Sequence, residues 1–193
     1  MADLATSARR VSGLADFAAD TTSIGGVTLA DAGPASRFVL RGSEAAAAAS
    51  GPFGVAIPTT SLRAGEGSGR AALWLGPDEW LLLGAAHETA AIQSALEQAM
   101  AGVPHSLVDV SHRQMGIAVE GPGAALALNA AVPLDLSAEA FPAGMCARTI
   151  FEKAEIVLWR TGPERFHVEV WRSFAPYVWE ILDVVRKENA AAA

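Results

Sequence analysis

The sequence predicts an α+β fold built from two fused ferredoxin-like half-repeats, each running β-α-β-β-α-β. Three observations predict it. The stretch Leu73-Trp74-Leu75-Gly76-Pro77-Asp78-Glu79-Trp80 returns as Leu158-Trp159-Arg160-Thr161-Gly162-Pro163-Glu164-Arg165-Phe166. Each copy sets a Gly-Pro turn with acidic residues between two apolar runs, which is a β-hairpin signature. The helices that follow keep one offset of 86 residues, so Ala95 corresponds to Ile181, Leu96 to Leu182 and Ala99 to Val185. The order of elements read along the first half is the ferredoxin-like one.

Taken in order, residues 1–23 read as a loosely ordered N-terminal arm, 24–110 as the first half-repeat and 111–189 as the second, within one compact pseudo-duplicated domain. Residues 27–30 are a short strand candidate. Residues 37–41 alternate in the strand manner, and Gly42-Ser43-Glu44 opens a helix over 45–50. Residues 51–70 are rich in Gly, Pro and Ser and read as a flexible connector. Its tip, Gly65-Glu66-Gly67-Ser68-Gly69-Arg70, is no dinucleotide fingerprint, because the third glycine position falls on Arg70. A hairpin over 71–75 and 80–84 leads into a helix over 87–101, stopped by Gly102 and Pro104. A strand follows over 106–110.

The second half restarts with a strand at 114–120, and Gly121-Pro122-Gly123 opens a helix over 124–131. Gly42 and Gly121 lie 79 residues apart, against 86 for later landmarks. The second copy therefore carries seven extra residues, expected in the loop 133–144. Strands at 147–151, 155–160 and 165–171 precede a last helix. Ser173 can cap it, and Pro176 sits in its first turn, where a missing N–H costs little. Phe174, Tyr177, Val178, Ile181, Leu182 and Val185 form its apolar face, with Glu180, Asp183, Arg186 and Lys187 behind. The chain ends before a fourth strand can complete this copy, so the strand near Val27 is expected to fill the gap.

Composition narrows the function classes. In 193 residues, 51% are hydrophobic and 18% charged, enough apolar material for a core. The formal charge of −7 repels phosphate backbones and anionic lipid, so neither nucleic acid nor membrane is an expected partner. The N-terminal stretch lacks the apolar segment of a signal peptide, which points to the cytoplasm. The single cysteine, Cys146, permits no intramolecular disulfide and reads as a buried small hydrophobe.

Candidate chemistry is sparse. The four histidines, His87, His105, His112 and His167, show no ligand spacing, so no metal site is expected. Asp109, Ser111 and His112 evoke a triad, but sequence neighbours point in different directions at a strand end. Acid pairs such as Asp78-Glu79 fall at hairpin turns. No catalytic and no cofactor-binding residue is assigned. Tryptophan and arginine stand side by side twice, as Trp159-Arg160 and Trp171-Arg172, and these two types are enriched at binding hot spots. The candidate subunit interface is therefore Trp159, Arg160, Trp171 and Arg172, with His112 and Arg113.

Several ordered motifs carry a family resemblance: Leu75-Gly76-Pro77-Asp78-Glu79-Trp80-Leu81, Val108-Asp109-Val110-Ser111-His112-Arg113, Pro133-Leu134-Asp135-Leu136, Leu158-Trp159-Arg160-Thr161 and Arg172-Ser173-Phe174-Ala175. Over residues 27–187 the chain resembles the gamma subunits of heterotetrameric sarcosine oxidases. Through Asp109-Val110-Ser111-His112 and Gly121-Pro122-Gly123-Ala124 it is also similar to the aminomethyltransferase (T-protein) folate-binding-domain fold. It lacks the Lys-Gly-Cys motif of related folate proteins, since Cys146 stands in Gly144-Met145-Cys146-Ala147. The resemblance implies a complex with alpha, beta and delta subunits that turns sarcosine into glycine and forms hydrogen peroxide. The one-carbon unit would pass to tetrahydrofolate or leave as formaldehyde. FAD, FMN, NAD, tetrahydrofolate and zinc would reside on the other subunits, and none on this chain. The alternative is a stand-alone folate-binding or aminomethyltransferase-like one-carbon protein.

Overall fold

The computed structural model describes residues 12–18 and 22–192. Its strands are β1 (Thr28–Asp31), β2 (Ala35–Arg41), β3 (Ala64–Gly67), β4 (Arg70–Gly76), β5 (Glu79–Ala85), β6 (Ser106–Asp109), β7 (Gln114–Glu120), β8 (Cys146–Phe151), β9 (Ala154–Gly162) and β10 (Arg165–Trp171). The helices are α1 (Ser43–Phe53), α2 (Thr89–Ala99, after a 3₁₀ turn at Ala86–Glu88), α3 (Ala124–Asn129) and α4 (Ala175–Ala192).

Two antiparallel five-stranded sheets result, ordered β3-β4-β5-β2-β6 and β8-β9-β10-β7-β1. They match position for position, and without the edge strands β3 and β8 the remaining four of each, β4-β5-β2-β6 and β9-β10-β7-β1, take the ferredoxin-like order. The slot opposite β6 is filled by β1, which pairs antiparallel with β7 from Thr28↔Glu120 to Asp31↔Ile117. The N-terminal strand thus completes the second half, as the missing fourth strand required.

Period-2 alternation builds a four-layer body, because successive strand residues face opposite ways. On β5, Trp80 and Leu82 face α1 and α2, while Leu81 and Leu83 face the other sheet. On β9, Ile156 and Leu158 face α3 and α4, and Val157 and Trp159 face inward between the sheets. Helices lie outside and sheets meet face to face. Trp80 spends its indole N–H on the Pro58 carbonyl, 2.7 Å away, so its burial leaves no unmet donor.

The duplication extends to backbone strain. Gly42 and Gly121 sit at φ 119° and 113°, a region that disfavours side chains. Each donates its N–H over 2.9 Å to a hairpin carbonyl, Asp78 and Glu164 respectively.

Three expectations need correction. Residues 51–70 are not a flexible connector throughout: α1 runs on to Phe53, and 64–67 form β3. Ser68 and Gly69, at φ 51° and 74°, make the tight two-residue turn that lets β3 fold back on β4. The second correction concerns the seven extra residues. Gly42 and Ala64 lie 22 residues apart and Gly121 and Cys146 25, whereas Ala64 and its partner Leu73 lie 9 apart and Cys146 and Trp159 13. Only three extra residues precede β8, and four lengthen the β8–β9 hairpin. Third, Arg186 does not sit on the solvent side of α4. It is 4% exposed and donates to the Thr22 and Val27 carbonyls.

The expected arm at 1–23 lies partly outside the described residues. Within 12–18, Leu14 is fully buried in the core of the second half.

Candidate subunit interface

The six candidate residues separate into an interior pair and a surface cluster. Trp159 is 9% exposed and packs between the sheets, edge-on to His167 at 6.1 Å. Arg160 is 5% exposed and donates to the carbonyls of Leu136, Phe141, Gly162 and Pro163. Its guanidinium lies 4.9 Å from the Phe166 ring centroid. It ties the 133–144 loop to the β9–β10 hairpin, so neither Trp159 nor Arg160 belongs to the outer surface.

The other four come together. His112 and Arg113 form the β6–β7 turn, closed by the Arg113 N–H on the Val110 carbonyl at 2.9 Å. Trp171 ends β10 and Arg172 follows it, and the Arg172 N–H bonds the Arg113 carbonyl at 2.7 Å. All four side chains are exposed, Trp171 to 42%. The Arg113 guanidinium stacks 5.5 Å from the Trp171 ring centroid. Phe174, 39% exposed, follows in the next turn and extends the aromatic surface. Phe174 therefore does not join the buried face of α4 that its spacing suggests. A small cavity of roughly 70 Å³ opens beneath, lined in part by Ser111, His112, Gln114 and Arg172. Buried Gln114 Oε1 has no hydrogen-bond partner among the described residues.

Asp109, Ser111 and His112 do not form a triad. The Ser111 hydroxyl donates to Asp109 Oδ1 at 2.5 Å and accepts the Arg37 backbone N–H at 2.9 Å. Both contacts fix the chain where β6 leaves β2. Cys146 is fully buried, and burial pushes its thiol up to about 11, so it holds little reactive thiolate at neutral pH. Its Sγ faces the Trp74 carbonyl at 3.6 Å.

The sequence reading missed the charged centre between the halves. Arg37 of β2 meets Glu169 of β10 in a bidentate pair at 2.6 and 2.9 Å, 2% and 1% exposed respectively. His167 Nε2 reaches the same carboxylate at 2.7 Å. Burial alone would raise the Glu169 pKa, but His167 and Arg37 outweigh it and hold the carboxyl below its ordinary range. A groove of roughly 480 Å³ runs past this centre, walled by the β3–β4 turn. The available signal was a charged residue at every second position of an otherwise apolar strand, as in His167-Val168-Glu169.

No group of three or more His, Cys, Asp or Glu among the described residues could hold a metal ion. No helix among them is long and apolar enough to cross a membrane.

Paired ferredoxin-like halves in four layers define an aminomethyltransferase-like fold. Aminomethyltransferase T of the glycine cleavage system from Bartonella henselae matches with a TM-score of 0.63 at 15% identity, over 83% of this chain and 46% of that one. A chain of heterotetrameric sarcosine oxidase from Corynebacterium sp. U-96, solved with pyrrole 2-carboxylate, matches with a TM-score of 0.87 at 30% identity, over 95% of this chain and 98% of that one. The sarcosine oxidase gamma subunit of the same Corynebacterium strain is 34% identical over 170 residues, 86% of this chain and 82% of the relative. That of Arthrobacter sp. is 32% identical over 159 residues, 80% and 77% of the two chains. The family described as sarcosine oxidase, gamma subunit, matches residues 41–188. This chain belongs to the sarcosine oxidase gamma subunit family.

Proposed function

We propose that the chain is a non-catalytic gamma subunit that docks on the alpha, beta and delta subunits of a cytoplasmic heterotetrameric sarcosine oxidase and stabilises that assembly. The observation that carries this reading is the near-complete match, over 95% of this chain and 98% of the other, to a chain of such a complex. The local chemistry supports it. The hydroxyl, thiol and carboxylate that a chemical step would recruit, those of Ser111, Cys146 and Glu169, are held in structural contacts. On this reading the complex oxidises sarcosine to glycine with hydrogen peroxide as co-product. FAD, FMN, NAD, tetrahydrofolate and zinc then belong to the other subunits.

Co-expression with alpha, beta and delta subunits tests it. One co-eluting complex with sarcosine-dependent peroxide formation is expected. An isolated chain that ignores those subunits and binds folate by itself would replace this reading with the one-carbon alternative.

A further inference from the structure

Arg113, Trp171, Arg172 and Phe174 form one exposed surface with both cationic and aromatic character. It is out of character with the rest of the chain, whose net charge is −7. Nearby Asp109 is exposed, and its Oδ1 accepts the Ser111 N–H and hydroxyl. The Arg113 guanidinium lies over the Trp171 ring, 5.5 Å from its centroid. A stacked guanidinium has already lost much of its side-chain freedom, so it gives up less entropy on meeting a planar anion. The cavity below His112 and Arg172 holds roughly 70 Å³. That leaves room for about two waters or one carboxylate group.

We propose that this surface docks an acidic protein face on one of the partner subunits, with aspartate or glutamate carboxylates on Arg113 and Arg172 around an apolar seat for Trp171 and Phe174. The proposal rests on the subunit reading above and names the chemistry of the contact. Charge complementarity selects this occupant. A symmetric pairing with a second copy would set Arg113 and Arg172 against their own counterparts, and a phosphate backbone would meet the acidic remainder of the chain. Arginine and tryptophan are also the residues that most often dominate an interface.

The test uses the co-expressed complex. In Arg113→Glu/Arg172→Glu the co-purifying fraction should fall, and affinity for the other subunits should drop on the order of a hundredfold. Trp171→Ala should lose on the order of tenfold. Arg113→Lys/Arg172→Lys keeps the charge but loses the planar, stacked guanidinium, so its loss should fall between the wild type and the glutamate pair, which separates charge from stacking. Leu126→Glu, at a site 65% exposed on α3, should change nothing. Raising salt from about 0.1 to about 1 M shortens the screening length from about 10 to about 3 Å and should weaken the wild-type complex. Thermal melts of each purified chain should coincide, because the altered side chains are exposed.

Normal assembly of the charge-reversed pair overturns the proposal while leaving the subunit reading intact. So does a loss in the glutamate variants that the lysine pair shares in full. Failure of the wild-type chain to join any complex overturns both. A wild-type homodimer broken by the same substitutions would assign the surface to a second copy instead.

Discussion

The two halves share a frame and differ where they meet. Arg37 pairs with Leu83 across β2 and β5, and the equivalent rung of the second half pairs Gly116 with Glu169 across β7 and β10. One rung has kept an arginine opposite an apolar residue, the other a glutamate opposite a glycine. The two rungs touch, and Arg37 grips Glu169 across the junction. The edge rung behaves in the same way with its signs exchanged: Arg41 faces Glu79, whereas Glu120 faces Arg165. Glu79 also receives Arg148 from β8 of the other half. A repeat that had stayed identical would place like groups on both sides of its junction. Divergence supplied the complementary pair, while the glycine turns and apolar rungs that build each half were kept.

The sharpest way to break this complementarity is Glu169→Ala. It strands the Arg37 guanidinium in the interior, and loss of one partner of a buried pair costs about 3–5 kcal/mol. Urea denaturation of the purified chain should show the loss as a lower midpoint. Arg37→Met/Glu169→Leu should recover most of it, since no charge is then left alone. A double variant as unstable as Glu169→Ala would show that the junction depends on shape and not on the pair. The carboxyl is held below its ordinary range, so its stabilising effect is present above the unfolded value of about 4.3 and is lost as pH falls through the folded value. In Glu169→Gln that acid-side component should vanish from the stability profile.

The shared glycines give the next effect. A Cβ on Gly121 would lie 2.2 Å from the Gly26 carbonyl oxygen, and one on Gly42 would lie 2.8 Å from that of Pro104. Both positions carry a strained φ that costs about 1–3 kcal/mol for an alanine. Gly121→Ala should therefore destabilise by about 3 kcal/mol and Gly42→Ala by about 2, read from the same urea curves. Equal losses would mean that backbone conformation alone decides, and that the closer approach of the N-terminal segment adds nothing.

The frame was legible in the sequence because its causes are local. Strand alternation, the Gly-Pro hairpins and the 86-residue offset depend on neighbours along the chain, and β7 and β10 begin and end where that pattern places them. The missing fourth strand was legible as a vacancy. Other features depend on contacts between distant residues. Arg37 and Glu169 are 132 residues apart, and nothing local says that two charged positions will meet in the interior. Arg160 looks like a surface arginine beside a tryptophan, and only the fold brings the carbonyls of 136 and 141 to it. Strand β3 was hidden because Ala64-Gly65-Glu66-Gly67 has no strand propensity of its own and exists by pairing with β4. Of the candidate interface, the surface cluster follows from turns next to strand ends, while Trp159 and Arg160 lie one hairpin away on buried faces.

The smallest effects concern how each half acquires its last strand. In the first half, β6 follows α2 directly along the chain. In the second, α4 runs to the end of the described residues, and β1 arrives from the opposite end. Arg186 makes the link that the chain cannot, with Nη1 3.0 Å from the Thr22 carbonyl and 3.5 Å from that of Val27, just before β1. Arg186→Ala leaves those carbonyls short of a charged donor and should cost about 1.5–3 kcal/mol. Arg186 Nε also donates to Asp183 Oδ1 at 2.8 Å, and its neighbour Lys187 reaches the same carboxylate from the solvent side, its side chain 59% exposed. Lys187→Ala should cost only about 0.3–0.5 kcal/mol, and less in high salt. Hydrogen exchange on β1 amides separates the two: Arg186→Ala should speed exchange from β1 more than from β6, while Lys187→Ala should leave both alone. Equal acceleration of β1 and β6 by Arg186→Ala would show that the recruited strand opens together with the whole molecule, and that its link to α4 has no local role.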